Sequence, residues 1–305
     1  MITKIELPGL SLDNPIIPAS GTFGYGYEFA RFYDLNILGS FSIKGTTLEP
    51  RYGNPLPRIA EAKAGMLNAI GLQNPGVDAV ISEEFTKLKE VYNKKVIANV
   101  AGSCIEDYVE VAKKLDQEDI VAIIELNVSC PNVKEGGIAF GSDELVLYEL
   151  VKKVKASVTK PVYVKLSPNV SDIVVFAKAC EEAGADGLVL INTLLGMRID
   201  LNTRKPIISN KTGGFSGPAI KPIALRMIYQ VASSTNLPII GCGGIENAYD
   251  VLEMMFAGAS AVQVGSENLI DPYACERIIK QLPEVMKEHG INDLNEIVGV
   301  ALDGK

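Results

Sequence analysis

Among 305 residues there is one histidine, His289, near the C-terminal end of a helical segment. A Ser-His-Asp site and a histidine-ligated zinc are thereby disfavoured, so any catalytic base must be another side chain. Cysteine is sparse too. The five (Cys104, Cys130, Cys180, Cys242 and Cys275) are odd in number, widely spaced and without a C-x-x-C pair. That suits neither a disulfide framework nor a metal cluster, and most are expected to be buried packing residues. No apolar run approaches the roughly 20 residues that span a bilayer. The opening MITKIELPGL runs into a strand-like stretch without a signal-peptide pattern, so the expectation is a cytoplasmic chain with no membrane partner. There is no basic excess: 29 Lys and Arg stand against 37 Asp and Glu, a formal charge of −8, with the acidic residues scattered. This argues against nucleic acid as the main partner.

Hydrophobic residues at 47% and charged residues at 22% are ordinary globular values. Short β-branched runs alternate with amphipathic helical segments, the pattern of βα units around a parallel sheet. Eight strands are predicted: 15–20 (PIIPAS), 40–45 (SFSIKG), 95–102 (KVIANVAG), 122–131 (AIIELNVSCP), 161–168 (PVYVKLSP), 187–193 (GLVLINT), 238–244 (PIIGCGG) and 261–266 (AVQVGS). Helical spacing marks EEFTKLKEVY, CIEDYVEVAKKL, DELVLYELVKKVKASV and SDIVVFAKACEEA. Eight such units predict one α/β domain over 1–305, a (β/α)8 TIM barrel of about 250 residues plus insertions. Residues 46–76 and 194–217 are too long for simple βα loops and are expected to cover the C-terminal face, the first as a lid or hairpin. The first 14 residues are expected to form a hairpin closing the barrel bottom.

Polar residues collect where the strands end: Ser20, Lys44, Asn99, Asn127 with Cys130, Lys165, Asn192 with Thr193, Gly243 with Gly244, and Gly265 with Ser266. All would face one mouth, which favours a single composite site over a mere solvent rim. Lysines inside apolar β sequence, Lys44 and Lys165, are costly without an anionic or electron-rich partner. The last two strands end in Gly-rich turns (GCGGIENA and VGSENL) that run into helices and predict a phosphate-bearing ligand. The GCGG turn lacks the G-x-G-x-x-G spacing of a dinucleotide fold.

ELNVSCPNVKEGGIAFG at 125–141 closely resembles the catalytic-loop signature of class 1 dihydroorotate dehydrogenases. ASGTFGYG, SIKGTT, NAIGLQNPG, IANVAG, VKLSPNV, INT, GGFSGPAIKP and GCGGI agree with it in order, so the resemblance covers nearly the whole chain. The CPNVKEGGIAFG form is most similar to class 1B. That class implies oxidation of dihydroorotate to orotate in pyrimidine synthesis, one FMN per subunit, and electrons passed to NAD through a partner subunit carrying FAD and a 2Fe–2S cluster. A homodimer, joined with that partner into a heterotetramer, is the implied assembly. The resemblance makes Cys130 the base for the C5 proton. It places Lys165 beside the flavin, and Lys44 between flavin and the orotate carboxylate. Asn68, Ala69, Ile70, Gly71, Leu72, Asn127, Asn192 and Thr193 fall on the substrate face. Ser20, Gly45, Asn99, Asn127, Ile191, Gly217, Gly243, Gly244, Gly265 and Ser266 map to FMN contacts. Other readings are a fumarate-dependent class 1A enzyme, a flavin-dependent dihydropyrimidine dehydrogenase, a non-redox phosphate-binding barrel in which Lys165 forms a Schiff base, and a barrel kept only as a binding scaffold.

Overall fold

In a computed structural model of the protein, residues 1–128 and 140–303 are described. Along the chain the strands are β1 (Ile5–Leu7), β2 (Leu10–Leu12), β3 (Ile16–Pro18), β4 (Ile59–Ala62), β5 (Gly65–Asn68), β6 (Val96–Val100), β7 (Val121–Asn127) and β8 (Val162–Lys165). There follow β9 (Gly187–Leu190), β10 (Leu194–Met197), β11 (Ile199–Asp200), β12 (Lys205–Pro206), β13 (Thr212–Ser216), β14 (Ile239–Cys242) and β15 (Ala259–Val264).

Seven of these form one parallel sheet in the order β3-β15-β14-β9-β8-β7-β6. The predicted strand at 40–45 completes the ring without forming a regular ladder. Gly39 and Ser42 donate to Ile16 and Pro18 on one side, while Ile43 and Thr46 donate to Ile97 and Asn99 on the other. An eight-membered cylinder is thereby closed, which removes both sheet edges. Helices cover the outside, so strands such as VIANV, VYVK and IIGC are buried at every residue and read as near-continuous apolar runs.

The covering helices bury the positions their spacing predicts. Over Ile105–Asp116 the buried apolar residues are Tyr108, Val111, Ala112 and Leu115, the inner stripe of a 3.6-residue period. Starts are capped by Asp143, Asp172 and Asn247, whose side chains accept backbone N–H groups of the first turn. The segment predicted helical around 83–92 begins earlier, at Val77, and passes through a π-turn at Val80–Glu84 before ending at Lys89.

β1 and β2 form the expected hairpin. At its turn a Cβ on Gly9 would stand 2.6 Å from Pro161 Cγ and 3.1 Å from Ala122 O, so the hairpin presses on the N-terminal ends of β8 and β7 and plugs the bottom. At the other end the two long excursions do something the sequence did not suggest. They pair into one antiparallel sheet, β10-β13-β5-β4, with Phe215 opposite Leu67 and Ile59 opposite Asn68. Among the described residues no helix is long and apolar enough to cross a membrane, and no cluster of His, Cys, Asp and Glu could hold a metal.

Candidate active site

A cavity of about 290 Å³ opens at the C-terminal mouth, beneath the four-stranded sheet. From the barrel come Ser20, Lys44, Gly45, Asn127, Lys165, Ile191, Asn192, Thr193, Gly243, Gly244, Gly265 and Ser266; from the cover come Asn68, Ile70, Gly71, Leu72, Gly214, Ser216 and Gly217. The two lysines reach it from well-separated strands. Lys44 is half-buried, and its Nζ has no hydrogen-bond or ion-pair partner among the described residues. Burial holds its ammonium below the ordinary lysine range; Arg58 adds repulsion and Glu28 opposes both. Lys165 is buried, and its Nζ donates to Gln263 Oε1 at 2.7 Å.

The amides at the mouth are tied to one another. Asn192 Nδ2 donates to Asn127 Oδ1 at 3.2 Å, and the Thr193 N–H donates to Asn192 Oδ1 at 2.8 Å. The Tyr108 hydroxyl holds the Asn127 carbonyl at 2.7 Å. Asn68 Nδ2 reaches Gly214 O at 3.4 Å, and a Cβ on Gly214 would meet Thr193 Oγ1 at 2.0 Å, so only glycine lets the cover lie this close to the barrel rim.

The Gly-rich turns differ in what they demand. Gly243 and Gly244 have φ of 135° and 73°, a region that disfavours side chains, and a Cβ on Gly244 would press on Lys221 Cβ at 2.7 Å. Gly265 is otherwise: a Cβ there would meet nothing nearer than Ala19 Cβ at 4.0 Å. The protein's own packing leaves that space beside the cavity. Among the described residues the N–H groups of Gly244 and Ser266 find no acceptor, so they are open to an anionic group.

A family model described as dihydroorotate dehydrogenase matches residues 2–286. The chain belongs to the dihydroorotate dehydrogenase family. It is 61% identical over 295 residues to the "Dihydroorotate dehydrogenase B (NAD(+)), catalytic subunit" of Anoxybacillus flavithermus, covering 97% of this chain and 94% of that one. The protein of the same name from Halalkalibacterium halodurans is 61% identical (97% and 96% covered), and one from Bacillus cereus 60% (97% and 96%).

Most residues expected from that family's pattern meet in the cavity, but two do not line it. Ala69 is buried with Ala60 and Ile208 behind the cover. Asn99 lies one layer below, fully buried, with its Nδ2 on Glu125 Oε1 at 2.5 Å. Cys130 and the rest of the predicted catalytic loop through 139 are outside the described residues. Of the other cysteines, Cys180, Cys242 and Cys275 are buried and Cys104 is exposed. Cys242 lines the cavity, but burial pushes its thiol up, which makes it a poor rival as base.

Sequence reasoning missed Glu125 and Gln263, both fully buried inside the cylinder. Gln263 Nε2 donates to Glu125 Oε2 at 2.5 Å, linking the two to Lys165. The available signal was a charged residue inside the apolar run AIIEL and an amide inside AVQV.

Proposed function

We propose that this chain is the FMN-binding catalytic subunit of an NAD-linked, class 1B dihydroorotate dehydrogenase, one domain over 1–305 that converts dihydroorotate to orotate in the cytoplasm. The supporting observation is two lysines and three asparagines, Lys44, Lys165, Asn68, Asn127 and Asn192, converging on one cavity at the mouth of the barrel. The relatives at about 60% identity carry that activity in their name.

The lining suits FMN. The open space at Gly265 and the free N–H groups of Gly244 and Ser266 match a phosphate-bearing ligand, with Ser20, Gly45, Ile191, Gly217 and Gly243 completing the contacts. When bound, FMN supplies a two-electron acceptor for the hydride from C6 of dihydroorotate. Lys165 would hold positive charge against the bound flavin, favouring its reduced form. Lys44, an ammonium already stripped of much water and lacking a protein partner, binds the substrate carboxylate. The asparagines, with Thr193 and the 69–72 backbone, orient the ring. Cys130 takes the C5 proton as thiolate. A partner subunit with FAD and a 2Fe–2S cluster would carry the electrons to NAD, with two catalytic subunits at the core of the assembly.

The purified chain is expected to be yellow and to bleach anaerobically on adding dihydroorotate. Cys130→Ser should retain flavin and lose nearly all turnover at neutral pH. Colourless protein overturns the reading. Fumarate reduction by the isolated chain, or NAD reduction without any partner, overturns the subclass.

A further inference from the structure

Glu125 is a fully buried carboxylate in the barrel interior, where branched apolar side chains are the usual filling. Only donors meet its oxygens in the described residues: Asn99 Nδ2 at 2.5 Å and Ser42 Oγ at 3.2 Å on Oε1, and Gln263 Nε2 at 2.5 Å on Oε2. A carboxylate only accepts, so it decides which end of each neighbouring amide turns towards it. With its NH2 on Glu125, Gln263 must offer its carbonyl elsewhere, and Lys165 Nζ takes it at 2.7 Å.

The second arm is longer. Asn99 keeps its Oδ1 for Asn127 Nδ2 at 3.5 Å; Asn127 Oδ1 receives Asn192 Nδ2 at 3.2 Å; Asn192 Oδ1 receives the Thr193 N–H at 2.8 Å. A donor-only backbone N–H closes one end of this chain and an acceptor-only carboxylate the other. Every amide between them therefore points the same way.

We propose that Glu125 is a positioning residue that sets the donor and acceptor polarity of the amides facing the ligand, Asn127 and Asn192, and anchors Lys165 through Gln263. The proposal rests on reading the cavity as a pyrimidine site. A pyrimidine edge mixes N–H and C=O groups, so an amide turned end for end meets donor with donor. Glu125 touches no ligand itself; it acts through the chain.

The experiment is orotate binding to the flavin-loaded protein, followed by perturbation of the flavin spectrum. Glutamine at position 125 keeps one acceptor oxygen and sets a donor in place of the other, so one of the two arms must turn end for end. Glu125→Gln is therefore expected to retain flavin and to weaken orotate at least about tenfold. Asn99→Leu cuts the longer arm without touching the charge and should cost a similar factor. Ser42→Ala removes a donor that leads nowhere and should stay within about twofold of wild type. Wild-type affinity in Asn99→Leu, or a Ser42→Ala loss equal to that of Glu125→Gln, would each overturn the proposal. If Glu125→Gln does not fold, the contrast between Asn99→Leu and Ser42→Ala still decides. Wild-type protein that binds neither flavin nor orotate overturns the cavity reading and this proposal together; binding that no variant alters overturns this proposal alone.

Discussion

Lys44 and Lys165 both end barrel strands and both line the cavity, yet they are held in opposite ways. Lys165 is built into the scaffold: its ammonium is fixed by Gln263, which is fixed by Glu125. Lys44 has no partner in the described residues, and its charged form is disfavoured by burial. A cation with an internal partner is preorganised whether or not a ligand is present. A desolvated cation without one gains most when an anion arrives. The site thus pairs a lysine with a built-in partner and one left open for a ligand.

The largest effect should come from Lys165→Met. It leaves Gln263 Oε1 without its donor and the Glu125 charge without its distant counter-ion, so urea denaturation should show a stability loss of about 3 kcal/mol. Anaerobic flavin reduction by dihydroorotate should slow roughly a hundredfold, the scale of losing one preorganised electrostatic group. Unchanged stability would erase the contrast between the lysines. Lys44→Met comes next. Orotate affinity should fall about tenfold, or about 1.4 kcal/mol, while the empty protein keeps or slightly gains stability, because no buried partner is orphaned. A stability loss matching that of Lys165→Met would show that Lys44 also has a structural partner.

The pH dependence sharpens the same point. The folded-state pKa of Lys44 lies below its ordinary 10.5, so between those two values the unfolded chain binds more protons and stability from this group rises with pH. Orotate affinity moves the other way, since it needs the ammonium, and should weaken as pH rises through the folded-state value. Lys44→Met should remove that alkaline fall. An orotate titration series from neutral to alkaline pH tests both. The smallest effect on the fold is expected at Gly265→Ala. The new methyl meets nothing nearer than 4.0 Å, so stability should stay within about 0.5 kcal/mol while flavin content drops. Full flavin occupancy would mean the space beside Gly265 is not used by the cofactor.

Much of this architecture was readable because its signals are local. A strand buried on both faces announces itself as an apolar run, a helix by spacing of three and four, and a βα repeat by alternation, so seven strands and the barrel class follow from short windows. The stretch at 40–45 shows the limit. Its composition is that of a strand, but its bonds are divided between Ile16 and Pro18 on one side and Ile97 and Asn99 on the other. The joining of residues 59–68 and 194–216 into one cover was equally invisible, since antiparallel partners from separate loops carry no mutual period.

At the site, the residues at strand ends were legible one at a time, and Lys44, Asn127 and Lys165 line the cavity. Their relations were not. Asn99 looked like one more rim group and proves to be a link below the rim.

The sequence by itself determined the class of fold, the family and the chemical kinds at the mouth, because backbone preference, period and motif act over a few neighbouring residues. Only the closed cylinder decided which lysine has a partner. It brings Gln263 to Lys165 across 98 residues and to Glu125 across 138, joining polar groups in a dry interior where each must find another.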